Sequence, residues 1–439
     1  MELGKYLAKG IWGFADKTLP LVYGLGFIFL VVRVLPPNEY GTFVIIQSIT
    51  IIVFTLGFSF VLQPVIKYAS ETDKYETYFS TGLLIYSAFL FICTLLIFIF
   101  SEFIIRYINI SINDSFISTL YYIPLYFITA IPRNLILAIF QAKFEVKKIF
   151  WIDFFYFIGS LILIFFAQSI SVLNTAIDLL IIISIANFIS SISAIIFYMK
   201  TNSLKIQFAK EAYYKIWKLG KYSLGSSINY SLHSQLDTFF VAYFSGVNGA
   251  ALYGAVKIIT RIYDIYAQVI QMFILPASSL LDSKRENTKL TELLEKSTCF
   301  SIISILPVVI FLFITSDFLV SLFYNTKYPE AKNLLKLLAL TGLFIPWISV
   351  ASSILFGLGK TNIIFKLTLW NLVLDLLFYY SGGIIASLEG IVYAILFIQF
   401  VMSMLWLAYS KKFIKFSLTS TIGRTKDIKN FILKKMTIL

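Results

Sequence analysis

Residues 78–100 read YFSTGLLIYSAFLFICTLLIFIF, a stretch without one charged side chain. A helix needs about 20 apolar residues to cross the hydrocarbon core of a bilayer, so this run alone predicts a membrane span. Runs of similar length recur outward in both directions, near 11–32, 41–63, 118–140, 150–168, 177–199, 221–245, 251–276, 297–316, 333–356, 363–380 and 391–409. The expectation is twelve transmembrane helices. The run at 221–245 is the most polar of them, because it carries Asn229, His233 and Asp237.

Composition agrees. Of the 439 residues 59% are hydrophobic and 13% charged, with mean hydropathy +0.86. Soluble domains carry about 25% charged residues, so an ordinary soluble enzyme, a disordered chain and a secreted disulfide scaffold are all excluded. Cys93 and Cys299 each lie in an apolar run and form no disulfide framework. Lys5 and Lys9 before the first apolar run mimic a signal peptide, but Asp16 and Lys17 interrupt it and no small-residue cleavage site follows. The reading is a retained first helix.

The formal charge of +13 needs placing. With the N-terminus in the cytoplasm and alternating spans, the inner segments hold 26 of the 36 Lys and Arg residues. The outer loops hold Arg33, Arg106, Lys327 and Lys332, and six lie in helices: Lys17, Arg133, Lys257, Arg261, Lys336 and Lys366. The positive-inside rule then predicts both termini in the cytoplasm. Because the basic residues are interleaved with spans, nucleic acid is not an expected partner.

The chain reads as two copies of one unit. Tyr40-Gly41 and Tyr253-Gly254 are 213 residues apart, Ile131-Pro132 and Ile345-Pro346 are 214 apart, and Phe140 and Phe356 are 216 apart. Six helices per copy predicts two parallel lobes, the arrangement of transporters that hold substrate between halves. The expected division is 1–205 for the N-terminal lobe with its basic inner loop, 206–409 for the C-terminal lobe, and 410–439 for a basic cytoplasmic tail, read either as held at the anionic inner surface or as a solvated disordered end.

Polar groups at membrane depth mark the candidate site. Tyr253, Lys257, Arg261, Asp264, Gln268 and Gln271 step by three or four residues and share one helical face. Such a stripe is expected to line an aqueous cavity, either touching substrate or packing helices as an ion network. Asn229, His233 and Asp237 repeat at four-residue steps in the preceding span. His233 is read as a satisfied core histidine or, alternatively, a proton carrier. Asp16 and Lys17, Arg133 and Asn134, Asp153, and Lys366, Asn371 and Asp375 complete the set.

Catalytic patterns are weak. Gly359-Lys360-Thr361 resembles the end of a P-loop, but Ile354 stands where its first glycine belongs. No group of His, Cys or carboxylates has metal-ligand spacing, and His233 with Asp237 has no nucleophile in a triad setting. The expectation is a non-enzyme with neither metal nor cofactor.

The run Arg33-Val34-Leu35-Pro36-Pro37-Asn38-Glu39-Tyr40-Gly41-Thr42-Phe43, with its echo Ala251-Leu252-Tyr253-Gly254-Ala255, resembles the Wzx-type O-antigen repeat-unit exporters. These are polysaccharide flippases of the multidrug/oligosaccharidyl-lipid/polysaccharide (MOP) superfamily. The resemblance implies a MATE-like, all-α fold in the bacterial cytoplasmic (inner) membrane. It also implies transfer of undecaprenyl-diphosphate-linked oligosaccharide to the outer leaflet by alternating access, coupled to an ion gradient. Expected partners are the lipid-linked oligosaccharide, the bilayer, and a glycan polymerase with chain-length machinery of lipopolysaccharide synthesis.

An anionic diphosphate needs cations on its path, and Lys257, Arg261, Arg133 and Lys17 are the candidates. Asp264, Asp237, His233, Asn229, Tyr253, Gln268 and Asp16 are candidates for cavity lining or ion coupling. Val44, Ser48 and Ile51 stand in the second span where Lys257, Arg261 and Asp264 stand in the eighth, so the cationic path is one-sided. A drug/cation antiporter of the same superfamily and an integral-membrane glycan polymerase or glycosyltransferase are the alternatives. The antiporter should favour an anionic cavity, and the enzyme a large outer loop.

Overall fold

A computed structural model describes residues 2–71, 75–107, 114–200, 208–324 and 327–424. The expected 205/206 lobe boundary and tail residues 425–439 lie outside the described residues. Sixteen α-helices follow one another, and no strand occurs among the described residues. They are α1 (Glu2–Phe27), α2 (Pro37–Gly57), α3 (Gln63–Ser70), α4 (Tyr75–Tyr107), α5 (Asp114–Leu120), α6 (Ile123–Ala142), α7 (Val146–Ser169) and α8 (Ala176–Met199). After these come α9 (Lys210–Thr260), α10 (Ile262–Ser283), α11 (Asn287–Ile314), α12 (Ser316–Tyr324), α13 (Ala331–Leu340), α14 (Ile345–Gly357), α15 (Thr361–Ser410) and α16 (Leu418–Gly423).

Ten helical stretches among the described residues are long and apolar enough to cross a membrane. Two are far longer than one crossing requires: 57 residues at Ser227–Ser283 and 50 at Thr361–Ser410. Each contains non-helical backbone. Gly246 takes φ +66° in one, and Ala386 and Ser387 leave the helical region in the other. Glycine has no Cβ to oppose that conformation, and both breaks fall in gaps between the spans read from sequence. Large apolar side chains such as Phe91, Ile99, Phe166 and Ile385 face outward. Together with backbone hydrogen bonds satisfied inside helices, this makes the chain a multi-pass membrane protein.

The helices group into two compact units, Met1–Gly254 and Ala255–Leu439. In the first, Ile45, Val61, Tyr86, Leu135, Ile139 and Phe140 belong to one buried cluster that includes Ile216 and Ala242 of α9. Close approach depends on glycine. A Cβ at Gly41 would lie 2.0 Å from the Val247 carbonyl oxygen, and one at Gly220 would lie 2.1 Å from that of Phe60. Phe60 sits in Phe58–Leu62, one of two π-helical turns; the other is Ile28–Val32. The motif glycines thus serve helix packing, as small residues do where lipid offers no hydrophobic driving force.

The second unit is tied by buried tyrosines that reach backbone carbonyls. Tyr263 donates to Ala339 O and Tyr324 to Ala255 O, both at 2.7 Å. A core of Ile270, Ile274, Leu294, Val350, Ile354 and Leu407 joins α10, α11, α14 and α15.

Candidate functional site

In the first unit, three helices bring charged groups into one interior cluster and a fourth adds a tyrosine. The Arg133 guanidinium of α6 pairs with the Asp153 carboxylate of α7. It also donates to Asn134 Oδ1 at 3.3 Å and lies 4.3 Å from the centre of the Tyr156 ring. Asn134 donates to the Tyr86 hydroxyl of α4 at 3.1 Å, and the Tyr126 and Tyr156 hydroxyls are 3.4 Å apart. Asp16 of α1 is only 8% exposed and lies within electrostatic reach of Asp153 and Arg133. Its Oδ1 and the Arg133 Nε are buried atoms without a hydrogen-bond partner. Lys17 points the other way: its side chain is 80% exposed, with Nζ 3.7 Å from Asp16 Oδ2.

The backbone at Arg133 is held from outside its own helix. Pro132 interrupts α6 and removes an N–H donor. The Ser191 hydroxyl of α8 enters there, donating to Thr129 O at 2.6 Å and accepting the Arg133 N–H at 3.2 Å. Ser191 of α8 thus bridges the Thr129–Arg133 rung of α6 next to Pro132. Beside it, the exposed side chains of Leu125, Ile128, Ile185, Phe188 and Ile192 line an open apolar groove.

Asn229 is buried on α9, while His233 and Asp237 are half-buried. The Tyr253 hydroxyl donates to Asp237 Oδ2 at 2.6 Å, and Asp237 Oδ1 accepts the Thr238 N–H at 2.6 Å. Tyr253 is itself buried, so within the first unit this pair bridges the Gly246 break.

In the second unit most of the polar stripe is exposed. Lys257 is half-buried, whereas Arg261, Asp264, Gln268 and Gln271 are exposed. The same stretch buries Tyr263, Ile270, Ile274 and Ser278. Packing in α10 therefore uses the face opposite Arg261, Gln268 and Gln271. The continuous helix expected through 251–276 is interrupted once, by a turn at Arg261 between α9 and α10. Asp375 of α15 is fully buried and accepts from Asn371 Nδ2 at 3.4 Å, while Lys366 is exposed.

Sequence reading placed Asp16, Arg133 and Asp153 in three separate spans; the structure brings them together. It missed Tyr86, Tyr126, Tyr156 and Ser191, which carry no signal among 27 tyrosines and many serines. Among the described residues no group of His, Cys, Asp and Glu could hold a metal ion.

Comparison with known proteins gives the family. A family model described as "Polysaccharide biosynthesis protein" matches residues 30–333, which include the Arg33–Phe43 motif and the stripe. Two uncharacterized membrane proteins of Methanocaldococcus jannaschii match at 26% identity over 188 residues and 27% over 152. The matched parts are 42% and 35% of this chain, and only 37% and 35% of those relatives' lengths. Among solved structures, an inward-facing multidrug resistance MATE family transporter of the MOP superfamily superposes with TM-score 0.76. It has 14% identity and covers 91% of this chain and 97% of that one. The lipid II flippase MurJ, in an inward closed conformation, gives TM-score 0.68 and 17% identity over 98% of this chain and 93% of that one. The chain belongs to the polysaccharide biosynthesis protein family and has the fold of the MOP superfamily transporters.

Proposed function

We propose that this protein is a flippase that moves an undecaprenyl-diphosphate-linked oligosaccharide from the inner to the outer leaflet by alternating access. In this reading twelve spans form two six-helix lobes, 1–205 and 206–409, with both termini cytoplasmic. The 57- and 50-residue stretches each count as two spans, split at Gly246 and at Ala386–Ser387.

One observation carries the reading. In a member of a polysaccharide biosynthesis family, exposed Arg261 and half-buried Lys257 stand one helical turn apart in a stretch apolar enough to cross a membrane. Unsolvated cations there are costly, so the face is matched to water and to an anionic headgroup. Arg261 suits bidentate contact with phosphate oxygens. The polyprenyl chain stays in hydrocarbon, because drawing it through a wet path costs about 0.8 kcal/mol per methylene.

Asp16, buried beside Asp153, is the candidate proton carrier, with His233, Asp237 and Asp264 as further coupling candidates. That buried acidic pair also favours a second reading, a drug/cation antiporter. Vesicles containing the purified protein separate the two. Flipping of a fluorescent undecaprenyl-diphosphate oligosaccharide should fall about tenfold or more in Lys257→Ala and Arg261→Ala, since one charge-assisted bond is worth about 1.5–3 kcal/mol. Uptake of an organic cation with no flipping would instead establish the antiporter.

A further inference from the structure

We infer that the turn following the last long helix is a built site for the headgroup of an anionic phospholipid, formed by Lys360, Lys411, Lys412 and Lys415. A solvated tail would leave its apolar residues in water, yet Ile414 and Phe416 are buried in the core of the second unit with Leu290, Leu294 and Leu407. Between and before them Lys411, Lys412 and Lys415 are exposed. The alternation fixes which side of the segment meets solvent. Backbone bonds from Lys412 N to Tyr409 O and from Ile414 N to Ser410 O fold it into a compact turn.

Farther along, a second fastening holds this segment down. Glu295 of α11 is 4% exposed and takes two partners from the tail. Arg424 donates to its Oε2 from Nε at 3.0 Å, with NH2 2.9 Å away, and the Ser420 hydroxyl donates to Oε1. Thr421 is buried beside them. The strap from 411 to 424 is thus anchored at both ends, by apolar burial at one and by a buried carboxylate at the other.

The lysines face aromatic rings rather than acids. Lys360 lies 4.9 Å from the centre of the Phe413 ring, Lys411 5.6 Å from Phe416, and Lys412 4.4 Å from Tyr409. None of the ion pairs among the described residues involves these four lysines. Four ammonium groups without a carboxylate, three of them held beside aromatic rings where an apolar helix ends, complement a phosphodiester at the lipid surface.

The test is lipid retention by the full-length protein in detergent, followed by native mass spectrometry with phosphatidylglycerol or phosphatidylcholine. The wild type should retain phosphatidylglycerol preferentially, and each Lys→Gln at the four positions should weaken retention about fivefold. Glu295→Gln is the discriminating variant. It makes the chain more positive by one charge, so diffuse attraction would strengthen retention, whereas loosening the strap should weaken it severalfold. Ser420→Ala, which changes no charge, should weaken it in the same direction and covers the case in which Glu295→Gln fails to fold. Unchanged or tighter retention in these strap variants, equal retention of phosphatidylcholine, or displacement by inorganic phosphate at equal concentration would each overturn the assignment.

Discussion

The Glu39 carboxylate accepts the backbone N–H of Ala176, the first residue of α8, at 2.8 Å. The same oxygen accepts the Ser115 hydroxyl at 2.7 Å. Glu39 lies in the first turn of α2, so one side chain fastens α2, α5 and α8 together. It also completes the start of α8, where Thr175 and Asp178 form a capping box. The first amides of a helix lack internal partners, and an anion there also meets the positive end of the helix dipole. The most recognisable motif of the chain is therefore a staple.

Glu39→Ala should cost about 1.5–3 kcal/mol, the usual loss for a hydrogen bond to a charged group. A thermal melt of the detergent-purified variant measures this. Ser115→Ala should cost about 1 kcal/mol, since it leaves the Ala176 contact intact. Equal losses would mean that Ser115, not the α8 terminus, is the principal partner.

Ser191 replaces a missing rung of α6, and its contribution depends on Pro132. Ser191→Ala strands Thr129 O and Arg133 N–H in the interior, at about 1–3 kcal/mol for such buried groups. In a Pro132→Ala background α6 can straighten and pair those groups internally. The second substitution should then cost less there, with a coupling of about 0.5 kcal/mol or more in the double-mutant cycle. Strict additivity would show that the contribution of the hydroxyl is independent of the proline.

Removing Arg133 leaves buried Asp16 and half-buried Asp153 as two neighbouring carboxylates without the guanidinium that pairs with Asp153. Breaking one side of a buried pair costs about 3–5 kcal/mol, while replacing both sides costs far less. Arg133→Gln should accordingly be less stable than the double variant Arg133→Gln/Asp153→Asn. Denaturation midpoints of the two proteins decide the order. If the pair is also part of ion coupling, the stable double variant should flip lipid-linked glycan without responding to a proton gradient.

The spans were legible because hydropathy is a property of each segment taken alone. The Gly246 break was legible for the same reason, as a polar, glycine-containing interruption between two apolar runs. The spacing from Arg261 to Gln271 followed from helical geometry, and the exposure of Arg261, Asp264, Gln268 and Gln271 beside buried Tyr263 and Ile270 matches that periodicity, whereas Tyr253 of the first unit is buried against Asp237. What no single segment encodes is which helices become neighbours. Arg133 and Asp153 lie on different spans, and many pairings of buried charges satisfy the same composition. Ser191 and Tyr86 act through one hydroxyl each, and nothing around either in sequence distinguishes it. Asp375 shows the same limit, because its full burial depends on neighbours that its own span does not specify.

The glycine contacts offer a test with an internal control. At Gly41 a methyl group would sit 2.0 Å from the Val247 carbonyl oxygen and 2.8 Å from its side chain, both on a neighbouring helix. Backbone cannot yield as a flexible side chain does, so Gly41→Ala must push α9 away from α2. Overpacking of this kind costs about 1–3 kcal/mol. Gly159 of α7 is also helical, but a Cβ there would meet nothing within 4 Å. Gly159→Ala gains helix propensity, worth up to about 1 kcal/mol, with no clash to set against it. Melting temperatures should fall for Gly41→Ala and hold or rise for Gly159→Ala. If both fall together, loss of glycine flexibility rather than the α2–α9 approach sets the stability of these helices.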